Sequence, residues 1–374
     1  MTHKRAFAGA QIFDGVTLWE THALLVAKDG TTQPSPRDAL PEECPVTTLK
    51  GGVISPGFAD LQVNGGGGVM FNDSPDIETL IKMSQAHRNL GTAGFLPTLI
   101  TDTPDHTRAA IAAVRHALRE NIPGICGLHL EGPHLSVARK GAHDAALIRP
   151  MTADDLAALL EAAEYIDTLM ITVAPENVTM AQITALSQAG IIVSLGHSDC
   201  DYDTAMRAFD AGARCATHLF NAMSQATPRA PGLVGAALDH GTVSCGLIAD
   251  GVHVHPAMIR AALAAHTGPS DVFLVTDAMA TAGSDINGFT LNGRVISRND
   301  GRLTLADGTL AGADLTLPQA VRYMVDVVGD PLAKALARAT TTPSALLRKR
   351  PDTSVQNMIW LSDDFTQTRW LTDL

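Results

Sequence analysis

Gly127-Leu128-His129-Leu130-Glu131-Gly132-Pro133-His134, with Lys140-Gly141-Ala142-His143 close behind it, is the stretch on which the reading of this chain turns. The apolar run over 122–130 reads as a buried strand. It stops at Glu131, and the Gly132-Pro133 pair sends the chain out into a loop. A carboxylate is thereby left at the rim of a sheet with imidazoles around it. A lone acid at a strand end is most often a solvated or capping side chain, so the weight falls on what other strands bring to the same rim.

Outward from that stretch, the text after Ser55-Pro56-Gly57-Phe58 alternates apolar runs with helical patterns about 12 to 15 residues long, the rhythm of a βαβ series. Strands are expected over 58–63, 94–99, 125–130, 169–173, 191–195, 214–217, 244–248 and 272–276. Helices with Ala and Leu at i, i+3, i+4 spacing are expected over 77–90, 105–118, 152–163, 180–189, 203–211, 256–265, 317–328 and 332–339. Eight such strands point to an α/β fold, a (β/α)8 TIM-like barrel, which takes about 250 residues as one domain. Before it, segments such as 23–26 and 46–49 are broken by Asp29-Gly30 and by Pro34, Pro36 and Pro41, as in a small β unit. The tail is strand-like over 355–361 and 366–371 and is expected to rejoin that unit. Residues 1–55 and 345–374 would then form a small β-sandwich domain, and 56–344 the catalytic barrel.

Composition narrows the function classes. The 374 residues are 45% hydrophobic and 18% charged, ordinary for a globular protein, while 4% aromatic is too few for stacking platforms on a carbohydrate or nucleic acid. A net charge of -12 repels polyanions, so no nucleic-acid partner is expected, and an anionic small substrate needs a local cationic pocket. The five cysteines form no CxxC pair, the N-terminus lacks a signal-like apolar core, and no run reaches membrane-spanning length. A cytoplasmic location with no membrane partner is expected.

In a parallel barrel the reacting groups sit at the C-terminal ends of strands. Read in order, those ends carry Gln62 and Asn64, then Glu131, His197, His218, Asp250 with His253, and finally Asp277. One carboxylate with two neutral imidazoles is a zinc-type set that leaves a position for a water, whose pKa the ion lowers towards about 7. Asp277 would take that water's proton and return it to a leaving amine. From position alone, hydrogen-bonded structural histidines and a capping Asp277 remain equally open readings.

The chain resembles a known family over nearly its whole length. Pro56-Gly57-Phe58-Ala59-Asp60-Leu61-Gln62-Val63-Asn64-Gly65, His129-Leu130-Glu131-Gly132-Pro133, Lys140-Gly141-Ala142-His143, Gly196-His197-Ser198, Thr217-His218-Leu219-Phe220-Asn221-Ala222-Met223, Asp250-Gly251-Val252-His253 and Thr276-Asp277-Ala278-Met279 are similar, in order, to the signature of N-acetylglucosamine-6-phosphate deacetylases of the amidohydrolase superfamily. The resemblance implies a metal-dependent hydrolase that removes acetate from the 2-acetamido group of a hexosamine 6-phosphate. It implies one divalent ion per subunit, zinc with iron, manganese or cobalt as alternatives, held by Glu131, His197 and His218. Asp277 would be the acid/base, and His143 would polarise the acetamide carbonyl. Asn221, Ala222, Arg229 and His253 would bind the sugar phosphate, with Ala142 and the Leu310-Ala311-Gly312 turn lining the sugar and acetyl pocket. Arg229 would reach the neighbouring subunit's site, which implies a homodimer; the Thr227-to-Gly232 context favours an exposed extended loop.

Gln62 and Asn64 stand where most amidohydrolases carry His-x-His for a second metal, so one ion is expected. His255 reads as structural, His129 as orienting a ligand, and His134 has no assigned role. N-acetylgalactosamine 6-phosphate, differing in one hydroxyl's configuration, is the nearest rival substrate, and hydrolysis of a cyclic amide is the second.

Overall fold

Eight parallel strands, β1 (Phe58–Val63), β2 (Thr92–Ile100), β3 (Leu128–Glu131), β4 (Leu169–Val173), β5 (Ile192–Leu195), β6 (Cys215–Ala216), β7 (Ser244–Leu247) and β8 (Val272–Leu274), pair neighbour to neighbour in chain order. Each expected run overlaps one of them. The ring closes where Val63 bridges Ala278 just beyond β8, which makes the sheet a TIM barrel. The structure, a computed structural model, describes residues 3–374; Met1 and Thr2, at the head of the β unit expected from residue 1, lie outside the described residues.

The helices between strands start where the sequence supplies a cap. Asp76, Thr103, Thr152, Thr179 and Asp201 each accept a main-chain N–H at the head of Ile77–Asn89, Pro104–Arg119, Ala153–Ala162, Met180–Gln188 and Tyr202–Asp210. Their apolar stripes, for example Ala110, Ile111, Val114 and Ala117, are buried against the barrel. The helix expected over 317–328 is regular only over Leu317–Tyr323 and widens to a π turn over Met324–Val328. No helix among the described residues is long and apolar enough to cross a membrane.

A helix, and an antiparallel sheet near the barrel mouth, were not expected. Gly232–Asp239 is a helix after β6, and Gly288–Leu291, Arg294–Asn299, Arg302–Thr304 and Leu310–Ala313 form an antiparallel sheet after β8. Asn292-Gly293 and Asp300-Gly301, each with both residues at positive φ, close two-residue hairpins in that sheet. This is the turn chemistry that favours such hairpins.

At the other end, strands His3–Ala8, His22–Ala27, Thr32–Pro36 and Val46–Thr48 form one sheet, and Val53–Pro56 pairs with Gln11–Phe13 and with Met358–Leu361 in a second. Phe7, Ile12, Leu24, Ile54, Met358 and Leu371 fill the space between the sheets. Trp370 joins this unit to the barrel, since its indole N–H donates to the Arg88 carbonyl at 2.9 Å and the Arg88 guanidinium lies 4.1 Å from its ring centroid. Trp370→Ala should cost about 3–5 kcal/mol, seen as a lower urea midpoint at unchanged slope; an unshifted midpoint would show that the tail does not brace the barrel.

Candidate active site

Four barrel strands deliver the site. Glu131 ends β3, while His197, His218 and Asp277 follow β5, β6 and β8 with φ of 47, 30 and 51°. Left-handed backbone in a non-glycine residue costs of order 1–3 kcal/mol. It is over-determined here, because the carbonyl of each of the three is held: Ser136 N–H donates to His197 at 2.8 Å, Asn221 N–H to His218 at 2.9 Å and Ala313 N–H to Asp277 at 3.0 Å. The chain therefore swings each side chain back over the barrel mouth.

Glu131 Oε1, His197 Nε2 and His218 Nε2 form a triangle with every edge 3.1 Å. His197 Nδ1 donates to the Arg139 carbonyl at 2.8 Å, so in the neutral ring its Nε2 carries a lone pair that faces the carboxylate. That arrangement calls for positive charge. A face of a tetrahedral site with bonds of about 2.0–2.1 Å has edges of about 3.3–3.4 Å, so the triangle fits one small divalent cation. The pKa shifts express the same demand. Burial raises the Glu131 carboxyl, but hydrogen bonds and charge from His197 and His218 outweigh it and hold the group well below the carboxylate range. Burial lowers His218, but its hydrogen bond to Glu131 and that residue's charge raise it above the imidazole norm. His218 Nδ1 is buried and has no partner among the described residues.

Ligand atoms of Glu131, His143 and His197 also lie within 4.8 Å of one another. The tautomer of His143 argues against counting it as a ligand. Its Nδ1 meets both Thr101 Oγ1 at 2.8 Å and the Thr101 main-chain N–H at 3.3 Å. An N–H can only donate, so Nδ1 holds the lone pair and Nε2 keeps the hydrogen. Burial, reinforced by the charge of His197, holds His143 well below its ordinary pKa, which leaves a neutral ring with an N–H to offer.

Asp277 is lifted to about 6, first by burial and then by the charge of Glu131. Asn64 Nδ2 donates to its Oδ1 at 2.7 Å, and Gln62 Nε2 lies 3.2 Å from that oxygen and 3.2 Å from both oxygens of Glu131. The first-strand amides, read from sequence only as missing histidines, thus tie the two carboxylates together. No pattern in the sequence announces that bridge, because its partners lie 69 and 215 residues away.

These groups open into a cavity of about 370 Å³. Ala142, His143, Asn221, Ala222, His253, Leu310 and Gly312 line it with Glu131, His197, His218 and Asp277; Asn64, Met279, Leu291 and Thr309 line it as well. Asp250 Oδ2 accepts from His253 Nδ1 at 2.6 Å and fixes that ring. Other expectations need correction. Ala311 does not line the cavity, because alternation along Leu310–Ala313 turns it into an apolar cluster with Ile100, Met279 and Leu291. Arg229, expected at the neighbouring subunit's site, does not line its own chain's cavity, and only its local conformation differs from expectation. It is exposed at the tip of a tight turn in which Thr227 and Ala230 exchange main-chain hydrogen bonds of 3.0 and 3.3 Å, not an extended loop, since Pro228 presets a turn conformation. His129 orients no ligand; its Nε2 bonds Thr172 Oγ1 at 2.7 Å beneath the site. His255 caps Pro256–Ala265, and His134 bonds the Arg149 carbonyl.

Residues 53–351 match the model of the amidohydrolase family. The chain is similar to an N-acetylgalactosamine-6-phosphate deacetylase of Shewanella sp. (strain ANA-3), 44% identical over 324 residues that cover 84% of this chain and 81% of the relative. It is 38% identical over 299 residues, 79% of this chain and 77% of the relative, to an N-acetylglucosamine-6-phosphate deacetylase of Haemophilus influenzae. The crystal structure of N-acetylglucosamine-6-phosphate deacetylase from Pasteurella multocida has a TM-score of 0.90 at 36% identity, covering 98% of both chains. With four-fifths of the sequence inside the family match and its barrel and strand-end acids in place, the chain belongs to the amidohydrolase family.

Proposed function

We propose that this chain hydrolyses the 2-acetamido group of N-acetyl-D-glucosamine 6-phosphate to D-glucosamine 6-phosphate and acetate. The observation that carries the reading is one cavity lined by a cation-seeking Glu131–His197–His218 triangle, a proton-accepting Asp277 and a neutral His143 donor. A second reading, the galacto epimer, is favoured by the 44% identical relative of that name. Acetate release from the two epimeric phosphates at equal metal loading decides between them; release from neither overturns both.

One divalent cation would be held by Glu131, His197 and His218, zinc in this reading with iron, manganese or cobalt as alternatives; when bound it would acidify a water and draw electron density from the amide carbonyl. Asp277 takes the water's proton as the new C–O bond forms, and delivers it to the nitrogen as the C–N bond breaks. A carboxyl lifted to about 6 is ionised at neutral pH and is a stronger base than an ordinary aspartate. His143 Nε2–H meets the negative charge that grows on the carbonyl oxygen, a donor worth about 3 kcal/mol. Asn221, Ala222 and His253 take the sugar phosphate, with Arg229 supplied by the partner in a homodimer, and Ala142, Leu310 and Gly312 shape the sugar and acetyl pocket. The same reading keeps 1–55 with 345–374 as one domain and 56–344 as the barrel, supported by the pairing of Val53–Pro56 with Met358–Leu361. It keeps the cytoplasm as the location, supported by the unpaired thiols of Cys44, Cys126, Cys200, Cys215 and Cys245.

Metal and base should separate on substitution. His218→Ala should lose the ion and the activity together, whereas Asp277→Asn should retain about one ion per chain by elemental analysis while kcat falls at least about 100-fold. Because the base must be ionised, activity should fall as pH drops through the Asp277 pKa; a bound cation lowers that value, so the acid limb should lie no higher than about 6. Near-normal turnover of Asp277→Asn would assign the base elsewhere.

Arg229 is exposed on its own chain, and among the described residues no carboxylate pairs with it. Losing one charged hydrogen-bond partner costs about 1.5–3 kcal/mol, so Arg229→Ala should raise KM for the phosphorylated sugar about ten- to a hundred-fold. Mixing Asp277→Asn chains with Arg229→Ala chains should create dimers with one intact site, and activity at low substrate should exceed that of either parent. Proven subunit exchange without that rise would remove the role across the interface.

A further inference from the structure

The ladder of the barrel is not continuous at one place. From β1 round to β8 every neighbouring pair is joined by main-chain pairing, with two register shifts between β1 and β2, but β8 and β1 are the two ends of that order. The gap between them is closed by the bridge from Val63 to Ala278, by the Asn64 and Gly65 N–H groups donating to the Ala278 carbonyl, and by side chains: Gln62 and Asn64 reach Asp277 at the rim, and Asp60 reaches Thr276 below it. Asp60 is fully buried inside β1. Its Oδ2 accepts the Thr276 hydroxyl at 2.5 Å, both its oxygens lie 3.3 Å from the Thr276 N–H, and its Oδ1 accepts the Gln62 N–H at 3.2 Å. Thr276 Oγ1 in turn accepts the Ala278 N–H at 3.2 Å.

The two residues that flank Asp277 are thereby tied to a single carboxylate, one directly and one through the Thr276 hydroxyl. Asp277 itself has the left-handed backbone that would relax if its neighbours were free. The same carboxylate also holds the backbone of Gln62, whose amide reaches Asp277 and Glu131. We infer that Asp60 is a positioning residue for the reaction: acting through Thr276, it fixes the backbone on either side of Asp277 and so aims the Asp277 carboxylate. Asp60 does not line the substrate cavity, so its effect falls on the chemical step and not on binding. The inference rests on the reading of Asp277 as the proton carrier.

Thr276→Val removes the hydroxyl and nearly keeps the shape. A misplacement of about 1 Å costs up to about a hundredfold in rate, so Thr276→Val and Asp60→Asn should each lower kcat about ten- to a hundred-fold, with KM and metal content near those of the parent. Thr276→Ser, which keeps the hydroxyl, should return kcat to within about threefold. A purely structural role would not give that split with rescue. Combining Asp60→Asn with Thr276→Val should cost little more than either alone, because both break one linkage. A folded Thr276→Val protein with parental kcat overturns the inference; should that variant not fold, parental kcat in Asp60→Asn does the same. If the parent enzyme releases no acetate from either epimer, the proposed activity fails, and the crystal structure of Thr276→Val decides the linkage alone. The Asp277 carboxylate leaving hydrogen-bond reach of Asn64 supports it, and an unmoved carboxylate overturns it.

Discussion

Everything at the mouth of this barrel depends on keeping the Glu131 carboxylate charged where almost no water reaches it. An isolated carboxylate in such a place would take up a proton instead. Glu131 remains anionic because two imidazoles and one amide face it, and those groups come from β5, β6 and β1. The barrel is thus the device that brings residues 66 and 87 positions downstream within 3.1 Å of one acid. Asp277 adds a second carboxylate nearby, and the two compete for positive charge. Glu131 is pushed down and Asp277 up, so one is suited to hold a cation and the other to carry a proton.

The barrel was legible because a parallel strand buried on both faces is mostly apolar, and its end is marked by the acid or imidazole that closes the run. Glu131, His197, His218 and Asp277 are such residues, and so their place on one rim follows from strand order without any knowledge of distance. The antiparallel sheet over Gly288–Leu291 to Leu310–Ala313 had its signal in Asn292-Gly293 and Asp300-Gly301, but its strands are half exposed and lack continuous apolar runs. Ala311 was misplaced because its face depends on strand register, which a short turn motif does not specify. His129 was misjudged for a related reason: alternation sends it to the same side as Glu131, but hydrogen bonding to Thr172 and Thr98 was decided by strands that the local sequence does not mention.

Gln62 and Asn64 show how a negative sign in a sequence becomes a positive one in a structure. As substitutes for histidines they announce only a missing metal site. In place, their N–H groups point at the oxygens of Glu131 and Asp277 and bridge the two acids. A histidine there would offer a lone pair to a metal; an amide nitrogen offers only hydrogens. The amide oxygen of Asn64 is buried and has no partner among the described residues, so its orientation is fixed by what its nitrogen gains from Asp277. A ring with one cation-seeking triangle and one amide-bridged acid pair leaves Asp277 held by neutral donors, which steady its direction without neutralising its charge.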